Sequence, residues 1–259
     1  MNTQKTAELL SLCTSIGTRL CAFDEIDSTN EEARRQADAD ISTPALIIAN
    51  SQTNGRGRMG RSFHSPKDTG LYISYLAPAK RDISDTVRLT TAAAVAVVLA
   101  IDEIYGIKAE IKWVNDILIN GRKVCGILCE SFRSSSGERF AVIGIGVNIS
   151  THDFPDELCE KAASIADSSD RKYELAAAIL KSLAVFYEDP RSPEIISIYK
   201  KRSAVLGRRV RLIGKGDEVL ATATDIEADG TLCVTLDSGE AQRIHSGEIT
   251  LRFDNGKEI

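Results

Sequence analysis

The sequence predicts a mixed α/β domain followed by a small β-barrel. Three observations carry that reading. Apolar, β-branched runs such as "ALIIANS" (45–51) and "RFAVIGIGVNIS" (139–150) have the length of buried strands. Helix-length stretches separate such runs, most clearly "SDTVRLTTAAAVAVVLAIDEIYG" (84–106). After Gly207 the pattern changes to short alternating strands with glycine turns, which fits a small barrel. A boundary near residue 206 therefore divides a first domain, 1–206, from a second, 207–259.

In chain order, "TAELLSLCTSIG" (6–17) is a short amphipathic stretch. Asp27-Ser28-Thr29-Asn30 precedes "EEARRQADA". Ser28 or Thr29 is placed to cap that helix, and Glu31 and Glu32 suit its positive end. A glycine–arginine loop follows the strand at 45–51. "GLYISYLAP" (70–78) is a strand ended by Pro78. The Ala-rich helix of 84–106 stops at Gly106 and suits close packing on a sheet. "AEIKWVNDILINGRKVCGILCESF" (109–132) reads as strand, turn, strand. Asn120-Gly121 marks the turn, because both residues tolerate the positive φ of a type I′ hairpin. In "VIGIGVN" the glycines leave the backbone open to another group. Stretches 172–190 and 192–207 read as helices. Turn signals at Gly214–Gly216, Asp229-Gly230 and Ser238-Gly239 punctuate the barrel.

The chain has 259 residues, enough to bury about 70–75% of its unfolded surface. Its formal net charge of −5 argues against general nucleic-acid binding. Six cysteines form no C-x-x-C and only three histidines are present, so zinc has little support. Cys125 and Cys129 lie in an apolar run and read as buried thiols. The first twenty residues lack a signal-peptide pattern, and the longest apolar run, Ala92 to Ile101, is too short to span a bilayer. A cytoplasmic location with reduced thiols is the expectation.

The loop "QTNGRGRMGRSFHSP" (52–66) spells G-x-G-x-x-G with Gly55, Gly57 and Gly60. The dinucleotide reading needs a helix after the loop and an acidic residue about 20 positions on. Here Pro66 and another strand follow, which removes it. Gly-Lys-Ser/Thr is missing, so this is no P-loop, and H-R-D and D-F-G are missing too. A basic surface loop, or an RNA-binding Arg-Gly segment, remains as the plain alternative. Arg56, Arg58 and Arg61 repel one another, however, and an anion would relieve that. Phe63 adds an aromatic face. A second polar cluster is "KWVND". Continuous alternation would put Lys112 and Val114 on one face and Trp113 on the other. Lys112 is either an edge lysine paired with Asp116 or Glu110, or a cation at a strand end aimed at a phosphate or carboxylate.

Together these pieces resemble the biotin protein ligases. Ser28-Thr29-Asn30 is similar to the family's Ser-Thr-Asn. The loop is similar to Gln-Thr-x-Gly-Arg-Gly-Arg-x-Gly-Arg followed by Ser-Pro. "GLYIS", "KWVND", "GILCE", "IGIGVN", Phe154-Pro155 with Glu157-Leu158, "GRRVRL" and "SGEITLR" follow in the family's order. The resemblance implies a class II aminoacyl-tRNA synthetase-like mixed sheet flanked by helices, plus a C-terminal SH3-like β-barrel. Departures are Phe63 for the usual tryptophan, Asn50-Ser51 for Ala-Glu or Ala-Asp, and Met59 where some members have arginine. Ala221 and Asp225 stand where the barrel commonly has glycines. Members that repress transcription carry an N-terminal helix-turn-helix domain. The residues before Ser28 are too few for one, so no DNA-binding role is expected.

The family's reaction, as the resemblance implies it, joins biotin to the α-phosphate of ATP. A carrier-domain lysine then displaces AMP. Neither step needs an enzyme nucleophile. By the same resemblance Lys112, Arg56 and Arg58 are the catalytic group. Ser28, Thr29, Asn30, Gln52, Gly57, Gly144 and Gly146 join those three around biotin, the last two glycines leaving room for it. Arg58, Arg61, Phe63, Asn115, Asp116 and Asn148 serve ATP. Magnesium is expected on the ATP phosphates, with no protein ligands assigned. The glycine–arginine loop is expected to be mobile until an anionic ligand orders it. The implied partner is a biotin carboxyl carrier protein or domain, with no DNA and no membrane, and with the chain a monomer or homodimer. Family dimers often pair sheets edge to edge; "FAVIGIGVNI" is a candidate edge, and a buried strand reads the same. A lipoate ligase is the nearest rival, but its Arg-Arg-x-Ser-Gly-Gly-Gly loop is missing. A nucleic-acid adaptor built on the Arg-Gly loop and barrel is the rival of another class, and the acidic charge opposes it.

Overall fold

The computed structural model describes residues 3–39, 44–79, 86–213, 219–245 and 248–251. In chain order the first part contains α1 (Thr3–Ser15), β1 (Arg19–Ile26), α2 (Thr29–Asp38), β2 (Ala45–Gln52), β3 (Gly70–Pro78) and α3 (Thr86–Tyr105). It continues with β4 (Glu110–Lys112), β5 (Asp116–Ile119), β6 (Arg122–Arg133), β7 (Arg139–Asn148), α4 (Lys172–Glu188) and α5 (Pro193–Lys201). Seven strands form one sheet in the order β1-β2-β3-β7-β6-β5-β4. Only β1 and β2 run parallel, so the sheet is mixed. Strands β8 (Arg209–Ile213), β9 (Val219–Ile226), β10 (Leu232–Leu236), β11 (Ala241–Ile244) and β12 (Glu248–Leu251) form a second, antiparallel sheet in the order β11-β10-β9-β8-β12.

Helices pack over one face of the large sheet. Helix α3 lies nearest, and its alanines let backbones approach closely. Leu89, Val95, Val97, Val98 and Ile101 of α3 are at most 1% exposed. Burying such a side chain is worth about 1.5–3 kcal/mol relative to leaving it in water. Helices α1 and α4 complete this layer. The other face is covered only in part. Helix α2 packs Ala33 and Ala37 on Ile47, Leu76, Phe140 and Val142. Its ten residues span about 15 Å, too short to reach across seven strands. The remaining floor carries Gly126, Leu128, Gly144 and Gly146, and a cavity opens above it.

Several expectations need correction. Residues 19–26 form a strand that the sequence reading missed: β1 is an edge strand, half exposed and half part-buried. The stretch 109–132 is three strands, not two. The chain turns at 113–115, so Lys112 pairs with Asp116 across a β4–β5 hairpin and does not share a strand face with Val114. The Trp113–Val114 peptide is cis. Strand β7 lies between β3 and β6 and is no edge. Helix α5 ends at Lys201, because residues 202–204 pair with β4: Ile111 N donates to Arg202 O (2.7 Å) and Ala204 N to Ile111 O (2.8 Å). Ser28 occupies the N-cap position of α2, yet its side chain makes no capping bond. Asp27 Oδ1 accepts from Ser28 N instead (2.7 Å).

Other expectations match. Asn120 (φ 50°) and Gly121 (φ 73°) form the turn between β5 and β6. Ala221 packs fully buried in the C-terminal sheet, and Asp225 pairs with Lys200 of α5 at 2.6 Å. Gly230 and Gly239 take positive φ in that sheet's turns. The Gly214–Gly216 turn lies outside the described residues.

Two stability predictions follow from these contacts. Tyr199 is fully buried and donates to Val114 O at 3.0 Å. Tyr199→Phe leaves that carbonyl short of a donor and should lower stability by about 1–3 kcal/mol in urea unfolding. Asp27 binds Arg35, which holds its carboxyl down at about 2 from 3.8. A depressed carboxylate stabilises the fold above its unfolded pKa and loses that contribution as pH falls through the folded value. Melting temperature should therefore fall less steeply between pH 4 and pH 2 in Asp27→Asn than in the parent chain, a window set by those two values. The pair is half exposed, so the difference is expected to be small.

Candidate active site

The loop between β2 and β3 folds back on itself. Gly57 N donates to Arg61 O (2.7 Å), Phe63 N to Gly55 O (2.8 Å) and Gln52 N to Ser65 O (3.2 Å). The tip turns through Met59 and Gly60, both at positive φ. Gly55 is required by proximity: a Cβ there would stand 2.4 Å from Phe63 O. Side chains tie the loop down. Arg56 forms a close ion pair with Glu31 and lies 3.4 Å from Glu130. Arg58 Nη1 donates to Asn115 Oδ1 at 3.1 Å. The Phe63 ring packs on Gly126 and Gly146 and meets Tyr72 edge-on at 6.4 Å. Carboxylates of the protein itself, Glu31 and Glu130, hold part of the loop's charge.

A hydrogen-bonded chain runs beneath the loop. Gln52 Oε1 accepts from Thr29 N (2.9 Å) and Thr29 Oγ1 (3.1 Å), while its Nε2 donates to Ser65 Oγ (2.8 Å). Ser74, fully buried, donates to Asn30 Oδ1 (2.6 Å), an oxygen that only accepts, and its Oγ lies 2.8 Å from Thr29 Oγ1. Asn30 Nδ2 donates to Glu130 Oε2 (2.9 Å), which fixes the amide orientation. The entrance of α2 is thereby bonded to β2, β3 and β6.

The cavity measures about 620 Å³, the size of a small-molecule site. Among the described residues its lining carries Arg56, Arg58, Arg61, Lys112, Lys123 and Lys161 against Asp116 and Glu157. Lys123 Nζ lies 2.7 Å from Asp116 Oδ1. A cleft so rich in cations concentrates anions even on an acidic protein. Lys112 projects from the end of β4, beside the turn that presents Trp113 and Asn115. Asn115 is locked, its Nδ2 donating to Ile127 O (3.0 Å) and its own O accepting from Ile127 N (3.0 Å).

The structure brings together Ser28, Thr29, Asn30, Gln52, Arg56, Gly57, Arg58, Arg61, Phe63, Lys112, Asn115, Asp116, Gly144 and Gly146 around this one cavity. Asn148 is not among its lining residues. It is buried at the end of β7 with Oδ1 unpartnered. The room expected beside two glycines is already filled. A Cβ at Gly144 would stand 2.1 Å from Asn30 Oδ1, and one at Gly146 2.5 Å from the Phe63 ring. Sequence reasoning missed Lys123, Lys161 and Gly126. Lys123 and Gly126 belong to "GRKVCGILCE": Gly126 pairs with Gly146, whereas strict alternation would put Lys123 on the opposite face, and it reaches Gly126 where the β5–β6 register shifts. Lys161 carried no local signal.

The described residues hold no cluster of three or more His, Cys, Asp or Glu able to bind a metal. Burial pushes the Cys129 thiol up to about 12 and raises Cys125 as well, so neither is a nucleophile at neutral pH. None of the described helices is long and apolar enough to cross a membrane. What the site offers is fixed cations, amide and hydroxyl groups, and an aromatic face. That set binds anions and stabilises developing negative charge.

Known proteins share these features. The model of the biotin/lipoate A/B protein ligase family matches residues 22–148, and that of the biotin protein ligase C-terminal domain matches 205–252. The bifunctional ligase/repressor BirA of Bacillus subtilis is 34% identical over 244 residues, covering 91% of this chain and 75% of the relative. A biotin--[acetyl-CoA-carboxylase] ligase of Mycobacterium tuberculosis is 29% identical, covering 86% and 85%. A biotin protein ligase from Aquifex aeolicus, solved in complex with biotin and ATP, superposes with a TM-score of 0.76 at 27% identity, covering 90% of this chain and 98% of that one. The mixed sheet, the C-terminal antiparallel sheet and the sequence agree, and the chain belongs to the biotin protein ligases.

Proposed function

We propose that this chain activates biotin with ATP to biotinyl-5′-AMP and then transfers biotin to the acceptor lysine of a biotin carboxyl carrier protein or domain. The observation that carries the reading is the cavity itself. The glycine–arginine loop, Lys112 and the Ser28–Asn30 turn all face it. Two anions, a carboxylate and a phosphate, must meet there. The barrier is electrostatic, and the protein lowers it by positioning and by fixed charge.

In this reading Lys112 contacts the biotin carboxylate and the reacting phosphate. Arg56 and Arg58 cover biotin and the adenylate, with the Gly57 amide beside them, and Arg61 faces the polyphosphate. Ser28, Thr29, Asn30 and Gln52 hold the polar ring of biotin. Their hydrogen bonds already orient them, which lowers the ordering cost of binding. Gly144 and Gly146 bring the sheet backbone close to the ligand, with Asn30 and Phe63 shifting or sharing the space. Phe63, Asn115 and Asp116 serve the nucleotide, and Asn148 is assigned no contact. Magnesium would arrive on the ATP phosphates as part of that substrate, since the described residues form no cage for it. The proposal places the reaction in the cytoplasm, with the chain a monomer or homodimer. It includes no DNA-binding or repressor function.

ATP–pyrophosphate exchange tests the reading directly. Exchange should depend on biotin and should not respond to lipoate. Lys112→Ala should lower biotin-dependent exchange by more than about 100-fold, the scale of losing one group that stabilises transition-state charge. Near-normal exchange in a folded variant would remove Lys112 from the chemistry. Arg58→Gly should still form the adenylate but release it at least about tenfold faster, since a charge-assisted hydrogen bond is worth about 1.5–3 kcal/mol. Retention of biotinyl-5′-AMP on a rapid filtration column reads this, and unchanged retention counts against the assignment.

A further inference from the structure

The only tryptophan of the chain, Trp113, lies between Lys112 and Asn115 and is 3% exposed. Its indole Nε1 donates to the carbonyl of Gly230 at 2.8 Å. Gly230 belongs to the C-terminal sheet, in the turn between β9 and β10. That turn is built rigidly. Gly230 N donates to Glu227 O (2.9 Å), Glu227 N to Thr231 O (2.8 Å), and Thr231 N to Asp229 Oδ1 (2.9 Å). It is also pressed on α3. A Cβ at Gly230 would stand 2.8 Å from Val87 Cγ1 and 3.0 Å from Thr91 Cγ2. Arg88 Nη1 donates to Ala228 O at 2.8 Å.

The segment this turn touches needs outside support. Strand β4 has three residues and lies at the end of the sheet order. The 113–115 turn beyond it is held from three sides: Trp113 by Gly230 O, Val114 O by Tyr199, and Asn115 by Ile127. Two of these anchors belong to the large sheet and its helices. The first comes from the C-terminal sheet. Lys112 and Asn115, which flank the turn, both line the cavity, whereas Gly230 and Arg88 do not.

We propose that the β9–β10 turn is a positioning element of the active site: its Gly230 carbonyl fixes the Trp113 indole and so sets where Lys112 and Asn115 stand. The C-terminal sheet thus acts on the reaction without touching substrate. The inference rests on the reading above that Lys112 works at the reacting carboxylate and phosphate. A displacement of about 1 Å at such a group costs about 100-fold in rate, so a remote anchor has a measurable effect.

The test uses the full chain, with Trp113 as its own reporter. Gly230→Ala drives a methyl against Val87 and strains a φ of +86°, shifting the turn while leaving the cavity lining intact. The ligand-free variant should show a shifted Trp113 emission maximum. Its kcat in biotin-dependent ATP–pyrophosphate exchange should fall about tenfold or more, with KM for biotin within about twofold. Trp113→Phe deletes the bond from the other side. Trp113 also lines the cavity, so the comparison is made in that background: the double variant should lose no more kcat than Trp113→Phe alone, because without the indole the Gly230 carbonyl has nothing left to hold. Unchanged emission, unchanged kcat, or additive losses in the double variant would each overturn the proposal. If Gly230→Ala does not fold, Arg88→Ala, which frees the same turn, is judged by the same readouts. Lack of biotin-dependent exchange in the unaltered chain would instead sink the ligase reading, and the emission would still decide whether the turn holds Trp113.

Discussion

The carboxylate of Glu130 is the contact on which the site most depends. It accepts from Asn30 (2.9 Å) and Arg34 (3.0 Å) and lies 3.4 Å from Arg56. Arg34 also rests on the Phe132 ring at 4.5 Å. From Glu130 the hydrogen bonds run through Asn30, Ser74, Thr29 and Gln52 to Ser65. One acidic side chain on β6 is therefore linked to α2, β3, β2 and the arginine loop. Its side chain is only 17% exposed. There an ion pair is screened less than at the open surface, and breaking it strands a charge. Glu130 thus offsets the charge of Arg34 and of Arg56, the first arginine of the loop.

Sequence reasoning succeeded where the deciding interaction is local. Asn120-Gly121 makes its turn because of its own backbone preferences. The alanines of α3 pack on a sheet because nothing larger would fit so close. The arginine loop and "KWVND" were legible as a pair because unusual residues crowd into short segments. What stayed hidden depends on partners far along the chain. Strand β1 has only a four-residue apolar run, 20–23, between Arg19 and Asp24, and it forms by pairing along β2. The turn at 113–115 forms where Tyr199 and Gly230 each make one hydrogen bond to it and Ile127 makes two. The reach of Lys161 into the cavity follows from pairing of the 161–163 backbone with Lys123. No local pattern encodes any of these.

The glycines show how a correct choice of residue can carry the wrong reason. The sequence suggests Gly144 and Gly146 as room for a ligand. In the structure Asn30 and Phe63 occupy that room. The smallest side chain is still required, but first by the protein's own packing. This gives sense to Phe63 standing where related sequences are expected to have tryptophan. The ring sits on bare backbone at Gly126 and Gly146, with Tyr72 at its edge. A phenyl ring fits between these neighbours, and an indole would need more floor or a shifted loop.

The reaction class explains why such distant anchors matter. Neither a buried thiol nor a resident metal carries the chemistry in this reading. Rate then comes from where a few cations and amides stand when two anions approach. Fixed charge acts only at the distance at which it is held, and the benefit falls as the group is allowed to wander. A lysine on a three-residue strand has little intrinsic rigidity. It gains rigidity from the turn beside it, and that turn gains it from Tyr199, from β6 and from the C-terminal sheet. The same logic applies to Arg58, which is held by an Asn115 that Ile127 locks in turn. Catalytic groups on both sides of the cavity are thus referred to one short segment, residues 113–115. The stability of that segment sets how closely those groups are held.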